Sequence, residues 1–498
     1  MAWPRTEADA PMTWRDVVAR AMRPADRQQP FALVSPLLRS ALLLGVGAGF
    51  ALASVLSVSL GFHLPLGAWW LATAQAHGRI QVFGWAGLFV LGVAFHFLPR
   101  LRGAPLRWPE MVRWLLGAEV AGLLLRGLAQ PLLTLAPDSL FWGIALIVSA
   151  ALEVIGLGLA VTLMAGTALR PGAPKLRSKV ALWGVWPFLI CVALSLTLAP
   201  LVNLVGAIQA AQPISGGGIV PPLTDDASVL LGLFGFLTPM ALAMSARALP
   251  LYAGLESIPQ RILWPIACGY GAGLALALIG DAGQGAELAR LHGAGLALLG
   301  AALICFLVIV TRLMTRRGRL PAQVRKLAPT PEQVARNYTR HISDERARYG
   351  PYVALIISAY LWAFLAGALL VVDGVAIALN ASPPVTLDAA RHSIAVGFIA
   401  LLLAGVSVRM IPGFSGGHIR SPRLVTTMLW LGNAAALLRV GSLLAQPLLD
   451  GASAGAALDS ALFGISGPLG LTFALILAIT LWPALARSTP PAGEEAGG

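Results

Sequence analysis

Charged residues are scarce in this chain of 498 residues: only 11% are Asp, Glu, Lys or Arg, whereas 57% are hydrophobic. Soluble domains carry about 25% charged residues. The three cysteines, Cys191, Cys268 and Cys305, lack the paired spacing of a disulfide framework or a zinc site. These scarcities exclude an ordinary soluble domain and predict an all-α membrane protein that crosses the bilayer many times.

Twelve stretches are apolar over a length that suits a transmembrane helix. They lie near 36–60, 74–98, 111–135, 140–168, 180–208, 228–253, 262–280, 288–311, 351–379, 387–412, 424–448 and 461–486. We therefore predict a twelve-helix transmembrane domain over 36–486 that includes a cytoplasmic loop at 312–350. A cytoplasmic segment, 1–35, precedes this domain, and a polar tail, 487–498, with the composition of a disordered segment, follows it.

The formal net charge of +13 would suit a nucleic-acid partner, but the distribution of the basic residues argues against one. Connections that follow odd-numbered spans, such as 209–227 and 446–460, contain no Lys or Arg, while basic residues concentrate in the other connections. By the positive-inside rule, both termini are then cytoplasmic. The charge predicts an orientation in an inner membrane, with lipid as the surrounding partner and without nucleic acid.

One stretch, from His77 to Gly103, follows a pattern that recurs twice. The pattern is a glycine, an aromatic residue, ten residues, a His or Arg, two residues, a proline, three residues and a glycine. Its copies are Gly84, Trp85, His96, Pro99 and Gly103; Gly235, Phe236, Arg247, Pro250 and Gly254; and Gly397, Phe398, Arg409, Pro412 and Gly416. Repetition at fixed spacing indicates repeated structural units. We predict three related modules around a pseudo-threefold axis, with spans two, six and ten equivalent.

Four charged residues lie well inside the third, fourth and eleventh spans: Glu119, Arg126, Glu153 and Arg439. Charges within a bilayer are costly and normally face the interior of the bundle, where they pair. The favoured interpretation is a structural Glu–Arg network that joins these three spans. The alternative is a proton path.

Three histidines, His77, His292 and His392, each begin a span at the predicted outer face, and each has an arginine within two residues. Imidazole is a common iron ligand, and arginine suits a haem propionate. The residues therefore suggest haem held between helices, although His and Arg also occur at helix ends simply as interfacial residues. The candidate site consists of His77, His292 and His392 as metal ligands, with Arg79, Gln81, Arg290 and Arg391 as further cofactor-binding residues.

The motifs HGRIQVFGW, FLPR, FGFLTPMALAMSARALPLYAG, ARLHGAG and RHSIAVGF resemble those of the NnrS family of bacterial membrane proteins. The resemblance implies a fold related to subunit I of haem-copper oxidases, haem (expected to be of b type), possible copper, and a role in resistance to nitric oxide, a small ligand. In the oxidase fold, the second and tenth helices supply the ligands of the low-spin haem, which correspond here to His77 and His392.

The chain departs from the oxidases because spans six and seven contain no histidine. The oxidase binuclear centre needs copper-ligating histidines there, so we predict no oxygen reduction and disfavour copper. Whether the protein is an enzyme is left open, and protein partners are not predicted. Two alternatives without haem are a secondary transporter and a structural partner of a respiratory complex. A threefold repeat argues against the transporter, because such proteins show paired or inverted halves.

Overall fold

A computed structural model describes residues 31–170, 184–212, 217–252, 258–315, 343–449 and 454–486, in which the regular structure is helical. The predicted N-terminal segment up to residue 30, most of the loop 312–350 and the tail 487–498 lie outside these described residues. The assignments made for those segments stay predictions.

The described residues contain twelve long helices. They are α1 Phe31–Gly61, α2 Ala68–Arg102, α3 Met111–Leu135, α4 Leu140–Ala168, α5 Trp186–Ala210, α6 Pro222–Arg247 (which continues to Tyr252), α7 Gln260–Asp281, α8 Ala286–Thr315, α9 Tyr352–Ala378, α10 Leu387–Ser415, α11 Pro422–Ala445 and α12 Ala454–Ala486. Eleven of them are long and apolar enough to cross a membrane; the remaining helix, α3, is comparably long but carries buried Glu119 and Arg126. The predicted twelve-helix, all-α fold is confirmed.

Helices α2, α6 and α10 form the centre of the bundle. In each, 78% of the most apolar window is buried, compared with 33–56% for the other membrane-length apolar helices. The middle segments of the three helices contact one another pairwise, and the rings of Phe83 and Phe236 stack with their centroids 6.3 Å apart. The three copies of the sequence repeat therefore lie around one axis, as the repeat predicts.

Each central helix changes its hydrogen-bonding pattern at the same place in the repeat. The segments Ile80–Gly87, Leu230–Leu237 and Ser393–Ala400 are π-helical. Such wide turns are rare and usually short, and they are frequent at functional sites. In α2 and α10 the segment begins directly after the helical turn that carries Arg79 or His392, and Gln81 lies within the segment of α2. The sequence analysis did not predict these segments.

The last glycine of the repeat terminates two of the central helices, α2 and α10. Gly103 after α2 has φ 67° and Gly416 after α10 has φ 68°, both in the left-handed conformation. Glycine adopts this conformation without the steric penalty of a Cβ atom, so it commonly ends helices. The equivalent Gly254 lies outside the described residues. Chain geometry therefore ends α2 and α10, and both extend beyond the apolar windows predicted from hydropathy.

Candidate cofactor site

A cavity of about 310 Å³ lies where α2, α6 and α10 begin, at what we call the histidine end of the bundle. Both His77 of α2 and His392 of α10 line it. Its walls are largely apolar and aromatic, with Phe50 and Leu56 of α1, Trp70, Phe83 and Trp85 of α2, Leu233 and Leu237 of α6 and Ile399 of α10. The structure thus brings together two of the three predicted histidines.

The two imidazoles are oriented in the same way, because the Nδ1 of each donates a hydrogen bond to a carbonyl oxygen. His77 Nδ1 lies 2.8 Å from the carbonyl oxygen of Gly49, and His392 Nδ1 lies 3.0 Å from the carbonyl oxygen of Asp388. The Asp388 carboxylate is also 3.1 Å from His392 Nδ1. A neutral ring that donates from Nδ1 keeps its Nε2 lone pair free, which is the arrangement of most metal-ligating histidines.

Three arginines line the cavity beside the histidines. Arg391 binds Asp226 at 2.6 Å, and Arg439 of α11 lies 3.7 Å from Asp388. The Nε atoms of both are buried and make no hydrogen bond among the described residues. The third is Arg79, which is buried, binds Glu153 and Ser228, and stacks over Phe83 at 4.2 Å.

Gln81 lines the same cavity, four residues after His77. Its Oε1 atom is buried and without a hydrogen-bond partner among the described residues. Gly49 makes room for it, since a Cβ at that position would lie 2.8 Å from Gln81 Oε1. The cavity therefore has apolar walls, two free imidazole nitrogens, and unsatisfied donors and an acceptor at its polar edge.

The structure places His292 and Arg290 away from this cavity. His292 packs against α7, where its Nδ1 is 2.9 Å from the carbonyl oxygen of Ala277. Arg290 is 47% exposed and pairs with Glu287 at 2.8 Å. The shared motif of a histidine beside an arginine grouped these residues with His77 and His392, but the motif alone does not say which helix face points to the cavity.

A buried polar network lies behind the cavity and differs from the one predicted. Arg126 does not bind Glu119; it donates to Asn203 at 3.0 Å and to Gln130 at 2.5 Å. Glu153 pairs with Arg79. Arg439 binds α10, through Asp388, and does not reach α3 or α4. The expected network through Arg439 is therefore wrong in its pairing, because sequence spacing does not reveal the partners of these charges across helices.

Two residues of the site, Arg439 and Asp388, were not among the predicted site residues. A signal for the first was present: Leu-Leu-Arg recurs at Arg126 and Arg439 at the same distance from the repeat glycines. The second sits one helical turn before His392, where its carboxylate can reach the ring.

The residues present do not form an oxidase-type copper centre. Helices α6 and α7 contain no histidine. Among the described residues, there is no group of three or more His, Cys, Asp or Glu side chains placed to hold a metal ion. A porphyrin needs fewer protein ligands, since it supplies four nitrogens itself, and the imidazoles of His77 and His392 would be enough to hold its iron.

Comparison with known proteins bears on the family and the fold. Residues 334–488 match the family model described as NnrS protein, a stretch that includes His392 and Arg439. A solved structure described as a heme-copper terminal oxidase dimer is similar over 93% of this chain and 84% of that chain, with a TM-score of 0.60 and 13% sequence identity, which shows a shared fold. No curated protein sequence matches. These findings confirm the predicted resemblance to the NnrS family, in a multi-pass membrane protein that has the heme-copper oxidase fold.

Proposed function

We propose that this protein is a haem-binding protein of the bacterial inner membrane, in which His77 and His392 would hold the iron. The observation that carries the proposal is that these histidines, from separate copies of the repeat, line one cavity with Nδ1 engaged and Nε2 free. A hydrogen bond from Nδ1 to a carbonyl or carboxylate fixes the ring and raises its basicity as a ligand. Asp388 gives His392 the stronger such partner.

The arginines at the polar edge fit the two propionates of a haem. Arg391 and Arg439 both have a buried Nε without a partner among the described residues, so each can donate to a carboxylate at no loss of an existing Nε hydrogen bond. Arg79 serves differently, because Glu153 and Ser228 already bind its guanidinium. In this proposal Arg79 stabilises the cavity wall through these contacts and adds positive charge to it, and Gln81 offers a neutral polar contact.

In this proposal the protein uses the bound haem in the response of the cell to nitric oxide, a role that the likeness to the NnrS family supports. When bound, haem would supply an iron that changes oxidation state. The chain's own residues orient the two rings, neutralise the propionates and exclude water with aromatic walls. The distribution of basic residues supports cytoplasmic termini, which puts the cavity at the periplasmic side.

The experiment is an absorption spectrum of the purified full chain and of three histidine variants. His77→Ala and His392→Ala should each lose most of the Soret band while inserting into the membrane normally. His292→Ala is the matched control: its side chain also bonds to a carbonyl through Nδ1, but it lies outside the cavity, so the band should persist.

A wild-type protein without haem, prepared from cells well supplied with it, would refute the proposal and favour a transporter. Equal loss of the band in all three variants would refute the two-ligand assignment. The nitric oxide role is tested separately, by growth of a deletion strain under a nitric oxide donor. Complementation by the wild type but not by His77→Ala is expected; equal complementation by both would contradict a role for haem.

A further inference from the structure

Glu119, in the first half of α3, is a completely buried carboxyl group that the proposed haem site does not use. It is 0% exposed, and both its carboxyl oxygens lack a hydrogen-bond partner among the described residues. The structure makes space for it on α4, where a Cβ at Gly156 would lie 2.5 Å from Glu119 Oε2. A glycine at this contact lets the carboxyl sit against the neighbouring backbone.

The charged groups around Glu119 do not neutralise it. Glu153 lies one turn before Gly156 on α4, and it takes Arg79 of α2 as its own ion-pair partner. On α3 itself, Arg126 donates to Asn203 and Gln130. From α1, which also packs against α3, Arg39 turns toward the carbonyl of Leu485 on α12. One cation, Arg79, therefore faces the carboxyl groups of Glu119 and Glu153, and it binds Glu153.

This arrangement favours the neutral form of Glu119. An ionised carboxylate that is removed from water and left unpaired is strongly disfavoured, and a second carboxylate nearby disfavours it further. The carboxylic acid avoids both costs. Glu153 satisfies the opposite conditions, since Arg79 and Asn203 both donate to it.

A continuous set of buried polar contacts joins this region to the cofactor cavity. The shorter connection is Arg79, which binds Glu153 and also lines the cavity. The longer connection is a chain of hydrogen bonds. Asn203 donates to Glu153 and accepts from Arg126, and Arg126 also donates to Gln130. Gln130 in turn donates to Gln75, which lines the cavity too. These contacts end at Glu153. A change of charge in the cavity therefore acts on Glu153 through polar groups, and on the neighbouring Glu119 through space in a medium of low dielectric constant.

We propose that Glu119 is a proton-binding site that compensates changes of charge in the cofactor cavity. Its carboxylate takes up one proton when the cavity loses positive charge and releases it when the cavity gains positive charge. The proton is exchanged with the aqueous phase: the carboxyl O–H bond forms as an O–H bond of a hydronium ion breaks, and the reverse occurs on release. The compensation rests on the proposed haem function, whereas the protonated state of Glu119 follows from its own surroundings.

The protonated state is tested by infrared spectroscopy of the full chain at neutral pH under reducing conditions, in which the cavity carries its lower positive charge. The spectrum of the wild type minus that of Glu119→Gln should contain the C=O stretching band of a neutral carboxylic acid, which shifts when H₂O is replaced by D₂O. Glu287→Gln is the control. Glu287 is 84% exposed, so its replacement should remove the bands of an ionised carboxylate. Loss of carboxylate bands in Glu119→Gln would overturn the proposal.

A second measurement guards against a folding defect. Glutamine has the shape of a protonated glutamate, so Glu119→Gln should unfold at the same denaturant concentration as the wild type. A strong destabilisation would mean that the wild type has an ionised, paired carboxylate at this position, and it too would overturn the proposal.

Coupling to the cavity is tested by the midpoint potential of the bound haem as a function of pH. Wild type should show a slope that approaches about 59 mV per pH unit for one proton per electron, and Glu119→Gln a flatter one. Equal slopes, or a wild-type potential independent of pH, would overturn the coupling. A chain that binds no haem refutes the proposed function, while the infrared experiment still decides the protonation of Glu119.

Discussion

The buried ion pair between Arg79 and Glu153 allows a quantitative test of how the central helix α2 is attached to α4. The two side chains are 3% and 0% exposed, and Arg79 also donates to Ser228 of α6. Replacing Arg79 with leucine leaves Glu153 buried with Asn203 as its remaining donor among the described residues. We expect a loss of about 3–5 kcal/mol in the free energy of unfolding, the usual cost of removing one partner from a buried pair.

A second change should recover most of that loss. In Arg79→Leu combined with Glu153→Gln, the buried negative charge is gone and the glutamine Oε1 can still accept from Asn203. We expect the double variant to lie within about 1–2 kcal/mol of the wild type, because removing both charges of a buried pair is far cheaper than removing one. The non-additivity of the two changes measures the interaction between the pair.

The assay is denaturant unfolding of the purified full chain in detergent micelles, prepared without haem so that cofactor binding does not contribute. Arg290→Leu is the matched control. Its partner Glu287 is exposed, so that pair should be worth about 0–1 kcal/mol. If Arg79→Leu is no less stable than Arg290→Leu, or if the double variant is less stable than Arg79→Leu, the reasoning is refuted.

Three further predictions follow from packing, backbone geometry and charge. Gly295→Ala should strongly lower the folded yield, because its Cβ would lie 2.3 Å from a backbone nitrogen of α7. Gly271→Ala, whose Cβ would have nothing within 4 Å, should raise the free energy of unfolding by up to about 1 kcal/mol, and equal yields of the two variants would contradict this. Gly416→Ala should cost about 1–2 kcal/mol in denaturant unfolding, since φ there is 68°, and an unchanged midpoint would count against it. Cysteines placed in 446–460 should react with a periplasmic thiol reagent and those in 312–350 should not; the reverse pattern would invert the proposed orientation.

The helices and their threefold arrangement could be predicted from sequence because both leave a direct mark on it. Bilayer-length apolar windows identify the helices, and the spacing from Gly84 to Gly103 recurs in the other two central helices. The π-helical segments leave no such mark. They shift backbone hydrogen bonds while the composition stays apolar, so a hydropathy pattern does not distinguish them from the α-helix on either side.

The candidate site could be predicted in part. His77 and His392 stood out because each begins an apolar span close to an arginine, in equivalent spans of two repeats, and the fold brings both to one cavity. The partners of the buried charges could not be predicted, since Arg79 and Glu153 are far apart in the chain and meet by helix packing alone. The same limitation explains His292, whose local motif matches that of His77 while its helix packs elsewhere.

The three modules have similar central helices but are held to their neighbours in two different ways. On one side, α2 to α6 are joined by buried polar side chains, among them Arg79 and Glu153. On the other, α7, α8 and α9 approach so closely that a Cβ on Gly295 or Gly374 would overlap a neighbouring backbone. Close packing of small residues joins helices without any charge. Because the polar attachment borders the cavity, we propose that its charges serve the proposed cofactor site as well as helix association.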